Sequence, residues 1–224
     1  MSSFFKWGGR QAAEQHAVVC ADGADDDRDV IAASKVLPRF LSALERQRAP
    51  VLLDLGPVVG ANVELFGERL ACKLLVQDLY QELDRPINVE AGESLMTALR
   101  VRLPDAAESV DGILCWDLFD YLDMTTSQAL AEHLSRLLRP GGVVHGFFAT
   151  ATAETDCFTR FVVEADDRLR HRTYPAPRRR RHVLTPRDID RMFKGLRLTE
   201  HVLLKTASRE TLFRKGQAAP AAST

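Results

Sequence analysis

The chain has 224 residues and a formal net charge of −1, with 46% hydrophobic and 27% charged residues. That is the composition of an ordinary globular protein with one sizeable core. Its charge balance supplies no global field to recruit nucleic acid or an anionic membrane, so either partner would need a local patch. No apolar stretch approaches the roughly 20 residues that span a bilayer, and the N-terminus lacks the basic-then-apolar pattern of a leader. The expected location is therefore cytoplasmic, without a membrane partner. Cys20, Cys72, Cys115 and Cys157 are far apart and form no CxxC pair. Three of them sit in apolar runs, where buried thiols are the expectation over disulfides or metal ligands, and no metal is expected.

Residues 1–28 read as an irregular arm: Phe4, Phe5 and Trp7, a Gly8-Gly9 break, then an acidic cluster running on to Asp29. From residue 29 to 215 the pattern is that of one domain, followed by a disordered tail at 216–224. Val30, Leu37, Leu41 and Leu44 have helical spacing, with Pro38 kinking that helix or starting a second one. Val51 to Asp54 is an apolar run ending in an acid. A glycine-containing turn (Gly56 to Gly60) and a helix-like segment (Asn62 to Leu70) follow, Asn62 being placed to cap it. A second apolar run, Leu74 to Val76, precedes Asp78. This strand–loop–helix–strand unit is the one with which doubly wound sheets hold nucleotide-like ligands.

Between Asp78 and Val110 either Ile87–Val89 or Leu99–Leu103 fits a strand. Asp111 to Trp116 reads as a buried strand. Thr125-x-x-Gln128 resembles a capping box opening an amphipathic helix, which Pro140-Gly141-Gly142 ends before a strand at Val143–Phe148. Phe158, Phe161, Val162, Ala165 and Leu169 share one helical face, so a helix is expected there. Eight arginines and no acid lie between Arg168 and Arg187. The Pro175-Ala-Pro177 break makes Arg178, Arg179, Arg180 and Arg181 an expected exposed loop, paired with the Asp22–Asp29 acids or, as the alternative, contacting nucleic acid. Thr185-Pro186-x-Asp188 marks another helix start. Leu196–Leu204 and Thr211–Phe213 are the last strands. Strands alternating with helices predict an α/β, doubly wound, mainly parallel sheet.

Several of these segments, in this order, resemble class I S-adenosylmethionine-dependent methyltransferases. Leu53-Asp-Leu-Gly56 is similar to the start of their first motif. Asp78, 18 residues beyond Gly60, stands where they keep the acid that binds the ribose hydroxyls. Leu103 to Leu114 resembles their approach to strand four, Trp116 to Leu122 its exit, and Leu137 to Gly142 the turn before strand five. The resemblance covers about residues 30 to 214 and implies a Rossmann-like methyltransferase fold with an antiparallel strand near the C-terminus. It implies S-adenosylmethionine (S-adenosyl-L-methionine) as cofactor, held by Asp54, Gly56, Gly60, Asp78 and Trp116. Asp117, Asp120 and Tyr121 stand where this fold presents groups to the methyl acceptor; Asp117 or Tyr121 would have a catalytic or orienting role, the alternative being a helix cap and a packed ring. His145 reads instead as a core histidine.

Two departures stand against the resemblance. Val58 occupies the place of the middle glycine of the first motif, where a β-branched side chain would intrude on the ligand and resist positive φ. No acid lies between Thr97 and Arg102 to hold the adenine amine. The function implied is methyl transfer from S-adenosylmethionine to a small-molecule substrate. The alternative is a methyltransferase-fold protein that binds or assembles without turnover.

Overall fold

The computed structural model describes residues 29–86, 94–151 and 153–217. The expected arm at 1–28, the strand alternative at 87–89 and most of the C-terminal tail lie outside these residues.

In chain order the elements are β1 (Val30–Ala33), α1 (Leu37–Glu45), β2 (Val51–Asp54), α2 (Gly60–Leu70), β3 (Lys73–Val76), α3 (Tyr80–Asp84) and α4 (Leu95–Arg102). They continue with β4 (Val110–Trp116), a 3₁₀ turn (Leu118–Tyr121), α5 (Met124–Leu137), β5 (Leu138–Ala149), β6 (Ala153–Ala165), β7 (Arg168–Arg181), α6 (Pro186–Met192), β8 (Leu196–Leu203) and β9 (Ser208–Lys215). Six strands form one sheet in the order β3-β2-β4-β5-β9-β8. β3, β2, β4 and β5 run parallel, whereas β9 is antiparallel to both β5 and β8. The fold is thus the expected mainly parallel α/β sheet with an antiparallel strand near the C-terminus. The chain leaves β2 toward β3 and then crosses to β4 on the other side, so the reversal of strand order falls between β2 and β4. In open α/β sheets ligands bind at the carboxyl ends of the strands at such a switch point.

Alternation along the strands divides the core into two faces. Leu52, Leu114, Val143 and Phe147 meet α1 and α2 through Phe40, Leu44, Phe66 and Leu70. Leu53, Ile113, Val144 and Phe148 face α3, α4, α5 and α6. Helix α1 approaches β4 so closely that a Cβ on Gly112 would lie 2.8 Å from Leu44 Cδ2.

Local chemistry accounts for most helix starts. Pro38 sits in the first turn of α1 and begins that helix, while Val30–Ala33, read as part of it, is strand β1. Leu99 to Arg102 belongs to α4, not to a strand. Asp123 caps α5 by accepting from the Thr126 N–H at 2.9 Å, two residues before the expected Thr125 cap. Helix α5 ends at Leu137, and the expected terminator Pro140-Gly141-Gly142 already belongs to β5. Thr185 and Asp188 form the predicted capping box of α6. Cys72 and Cys115 are free thiols, with Cys115 buried in the core as expected. Cys157 departs from that expectation and is disulfide-bonded.

The largest departure is at 153–181. The predicted helix and the predicted arginine loop together form one long antiparallel hairpin, β6–β7, which β1 extends into a second, three-stranded sheet. Strand β6 sends Phe158 into one core face and Phe161 into the other. The hairpin therefore lies over the carboxyl end of the main sheet. Among the described residues no helix is long and apolar enough to cross a membrane.

Candidate functional site

The first group of site residues meets at the switch point. Asp54 is the last residue of β2 and is only 3% exposed. Its Oδ1 accepts the Gly56 N–H at 2.9 Å and the Trp116 indole N–H at 2.6 Å. Burial raises the Asp54 carboxyl to about 6; these two hydrogen bonds oppose the rise and nearby Asp78 adds to it. Trp116 closes β4 with φ +50°. A bulky residue held in the left-handed region costs about 1–3 kcal/mol and persists only where its surroundings fix it. Here the surroundings are Asp54 on the indole N–H and the Phe161 ring stacked on it at 5.1 Å and 5°.

Gly56 is required by proximity. A Cβ there would lie 2.6 Å from Trp116 Cδ1 and 2.7 Å from Nε1, so the indole rests directly on the glycine. Gly60 is the first residue of α2, and a Cβ there would meet nothing within 4 Å. Val58 does not have positive φ, so the expected backbone conflict at this position is absent, and its side chain is 63% exposed. The side chain that occupies the space over Gly56 is Trp116.

Asn62, expected as a helix cap, lies in the first turn of α2 and is buried. Its side-chain amide donates to Phe161 O at 2.9 Å and its Oδ1 accepts the Val163 N–H at 2.8 Å. One amide thus pairs with the edge of β6 and fastens the hairpin to α2. Arg69, at the other end of α2, pairs with Asp166 at the hairpin turn.

Asp78 lies two residues past β3. Its Oδ2 accepts from Gln81 Nε2 at 2.9 Å, whereas Oδ1 is buried and has no partner among the described residues. A buried acceptor without a donor costs free energy, and a ligand hydroxyl would satisfy it.

The second group lies beyond β4. Asp117 Oδ1 accepts the Tyr80 hydroxyl at 2.6 Å, and Oδ2 receives the Tyr121 hydroxyl at 3.4 Å. Arg181, from β7, donates to Asp120 Oδ2 at 2.6 Å and lies 3.7 Å from Asp117 Oδ2. Asp120 Oδ1 also accepts the Ala149 N–H at 2.9 Å. Burial pushes Asp120 up to about 7, with Arg181 opposing and Asp117 reinforcing the rise. Burial and the adjacent Asp117 carboxylate also raise the Tyr80 and Tyr121 hydroxyls, which remain protonated donors. Asp117 and Tyr121 are therefore joined in one buried network that contains Tyr80, Asp120 and Arg181 as well.

The arginine run does not form an exposed loop: its backbone is the end of β7. Arg181 is drawn into the buried network, and Arg170 and Arg172 pair with Asp29 at 3.3 and 2.8 Å. Arg170 also pairs with Glu164 at 2.6 Å. Asp29 thus pairs with two arginines earlier in β7, whereas Arg181 meets Asp120 and Asp117 instead of the acids expected for it. The side chains of Arg178, Arg179 and Arg180 lie outside the described part of the structure. His145 is the buried core histidine expected, with Nε2 2.8 Å from Glu210 Oε1. Sequence reasoning missed Tyr80, the buried pairing of Arg181 and the anchoring role of Asn62. Tyr80 carries no spacing signal, and the other two owe their roles to partners far along the chain. Among the described residues no cluster of histidine, cysteine and carboxylate side chains could hold a metal.

A family model described as a methyltransferase domain matches residues 27–199. No curated protein sequence matches the chain. Among similar solved structures is 1,6-didemethyltoxoflavin-N1-methyltransferase of Burkholderia thailandensis, crystallised with 1,6-didemethyltoxoflavin and S-adenosylhomocysteine. It is 15% identical, with a TM-score of 0.47, over 82% of this chain and 80% of that one. The amino pentose methyltransferase CalS10 of Micromonospora echinaspora, with S-adenosylmethionine bound, is 17% identical, with a TM-score of 0.46, over 80% and 88%. The N-methyltransferase NodS of Bradyrhizobium japonicum is 19% identical, with a TM-score of 0.44, over 81% and 94%. With the family model spanning most of its length and the strand order in place, the chain belongs to the methyltransferase family that its class I motifs resemble.

Proposed function

We propose that this protein transfers a methyl group from S-adenosylmethionine to a small-molecule acceptor. The observation that carries the reading is Asp78, just past β3, whose buried Oδ1 has no partner among the described residues. A carboxylate in that place accepts hydrogen bonds from a ribose diol. The first turn of α2 follows the same switch point, and free N–H groups at a helix start suit a carboxylate; Gly60 leaves space there. Asp54 borders the loop and would hold an ammonium group. The bound donor would supply a methyl group already activated by positive sulfur. The chain then has mainly to align the two reactants, and alignment alone accounts for about 7–11 kcal/mol in well-oriented reactions.

On this reading the Asp117–Tyr121 network orients the acceptor from beyond β4. Its tyrosine hydroxyls stay protonated and donate their single protons to Asp117, so toward an acceptor they present lone pairs. The pairing of Arg170, Arg172 and Arg181 with acids favours a small acceptor over a nucleic acid. The family match lends no support to a binding or assembly role without turnover. Calorimetry of the folded chain with S-adenosylmethionine or S-adenosylhomocysteine tests the reading. Binding that Asp78→Ala weakens by at least about ten-fold, the worth of one hydrogen bond to a charged group, is the expected result. No heat at millimolar ligand with folded protein would refute it.

A further inference from the structure

The switch point has two unlike sides. At one, Asp78 presents a buried oxygen with no partner among the described residues. At the other, the Trp116 indole lies so close on Gly56 that no methyl group would fit between them. Its N–H occupies Asp54 Oδ1, which the Gly56 N–H also fills. Its face is covered by Phe161, which stacks in turn on Phe147 at 4.9 Å and 4°. Asn62 clamps β6 at Phe161 O and Val163 N, so the aromatic cover is tied to the first turn of α2. Asp54 Oδ1 and the space over Gly56 are thus both taken by the chain's own indole.

We infer that Trp116 is the specificity-determining residue of the donor site, standing in for the donor's ammonium group against Asp54. An adenine nucleoside without an amino-acid tail then binds at Asp78 with the indole in place, whereas S-adenosylmethionine enters only as the indole withdraws. The inference rests on the methyl-donor reading above. An ammonium group pairs with a buried carboxylate more strongly than a neutral indole N–H does, which gives the donor the means to displace it. The left-handed backbone at Trp116 marks a side chain held by its contacts rather than by local preference.

Calorimetry with S-adenosylmethionine, S-adenosylhomocysteine and adenosine tests this on the full chain and on Trp116→Phe and Trp116→Ala. Trp116→Phe keeps a ring against Phe161 while it removes the donor to Asp54 and part of the indole's bulk over Gly56, so it guards against misfolding of the alanine variant. The variants should bind the two amino-acid-bearing ligands at least ~ten-fold tighter, about the equilibrium factor of one hydrogen bond to a carboxylate, a gain that exceeds any change in adenosine affinity. In a Trp7→Phe background, where Trp116 is the sole tryptophan, S-adenosylmethionine should shift the emission and adenosine should leave it alone. Equal or weaker donor binding in both variants, or emission that the donor leaves unchanged, overturns the gating role and leaves the donor reading standing. Binding of no ligand to any folded variant overturns both.

Discussion

Asp54→Asn isolates the electrostatic cost of the carboxylate at the end of β2. Asparagine keeps an oxygen to accept from the Gly56 and Trp116 N–H groups, but it cannot ionise. In the native protein burial lifts this carboxyl from its ordinary 3.8 to about 6. The folded state therefore holds the proton more tightly than the unfolded chain does. The stability this contributes is fully present below pH 3.8 and is lost as the pH rises through about 6. A rise of about 2 pH units, at about 1.4 kcal/mol each, amounts to about 3 kcal/mol. Denaturant unfolding of the native protein and the variant, from below the ordinary carboxylate range up to neutral pH, measures it directly. The variant's stability relative to the native protein should grow by about 3 kcal/mol across that range and stay level above it. In a chain of this size that corresponds to roughly 6–12 °C in Tm. Asp120 titrates in a similar range but is present in both proteins, so it cancels in the difference. A difference independent of pH would show that Asp54 is not a desolvated carboxylate.

Asn62→Ala strips Phe161 O and Val163 N of their partners, and two buried backbone groups left unpaired should cost about 2–5 kcal/mol in denaturant unfolding. Arg181→Met leaves Asp117 and Asp120 buried without their cation. Removing one member of such a pair typically costs about 3–5 kcal/mol, and the Asp120 carboxyl should rise further by NMR titration. Val58→Gly should change donor affinity less than about two-fold by calorimetry and cost at most about 1 kcal/mol of stability, because the isopropyl group is exposed to solvent.

The strand–loop–helix–strand unit from Val51 to Asp78 is legible because each of its elements is locally encoded. An apolar run becomes a buried strand, glycines open the turn, and helical spacing follows. The Thr185 cap is legible for the same reason, since donor and acceptor lie three residues apart. The hairpin at 153–181 is not. A strand that buries Phe158 on one face and Phe161 on the other loses the alternation that marks a half-buried strand, and its apolar spacing then imitates a helix. Arg181 is hidden because a run of arginines normally stays in water; only the fold supplies the buried carboxylates that draw this one inward.

By itself, then, the sequence determines the order of elements through the first crossover, the parallel sheet and the two acids that end or follow its first strands. These depend on neighbours within a few positions. Who occupies the space above Gly56 is decided by tertiary structure. That outcome depends on Trp116 reaching Asp54 across 62 residues and on Asn62 gripping β6 across 99 and 101. Contacts of that reach exist only once the sheet has aligned its strands and the hairpin has closed over their ends.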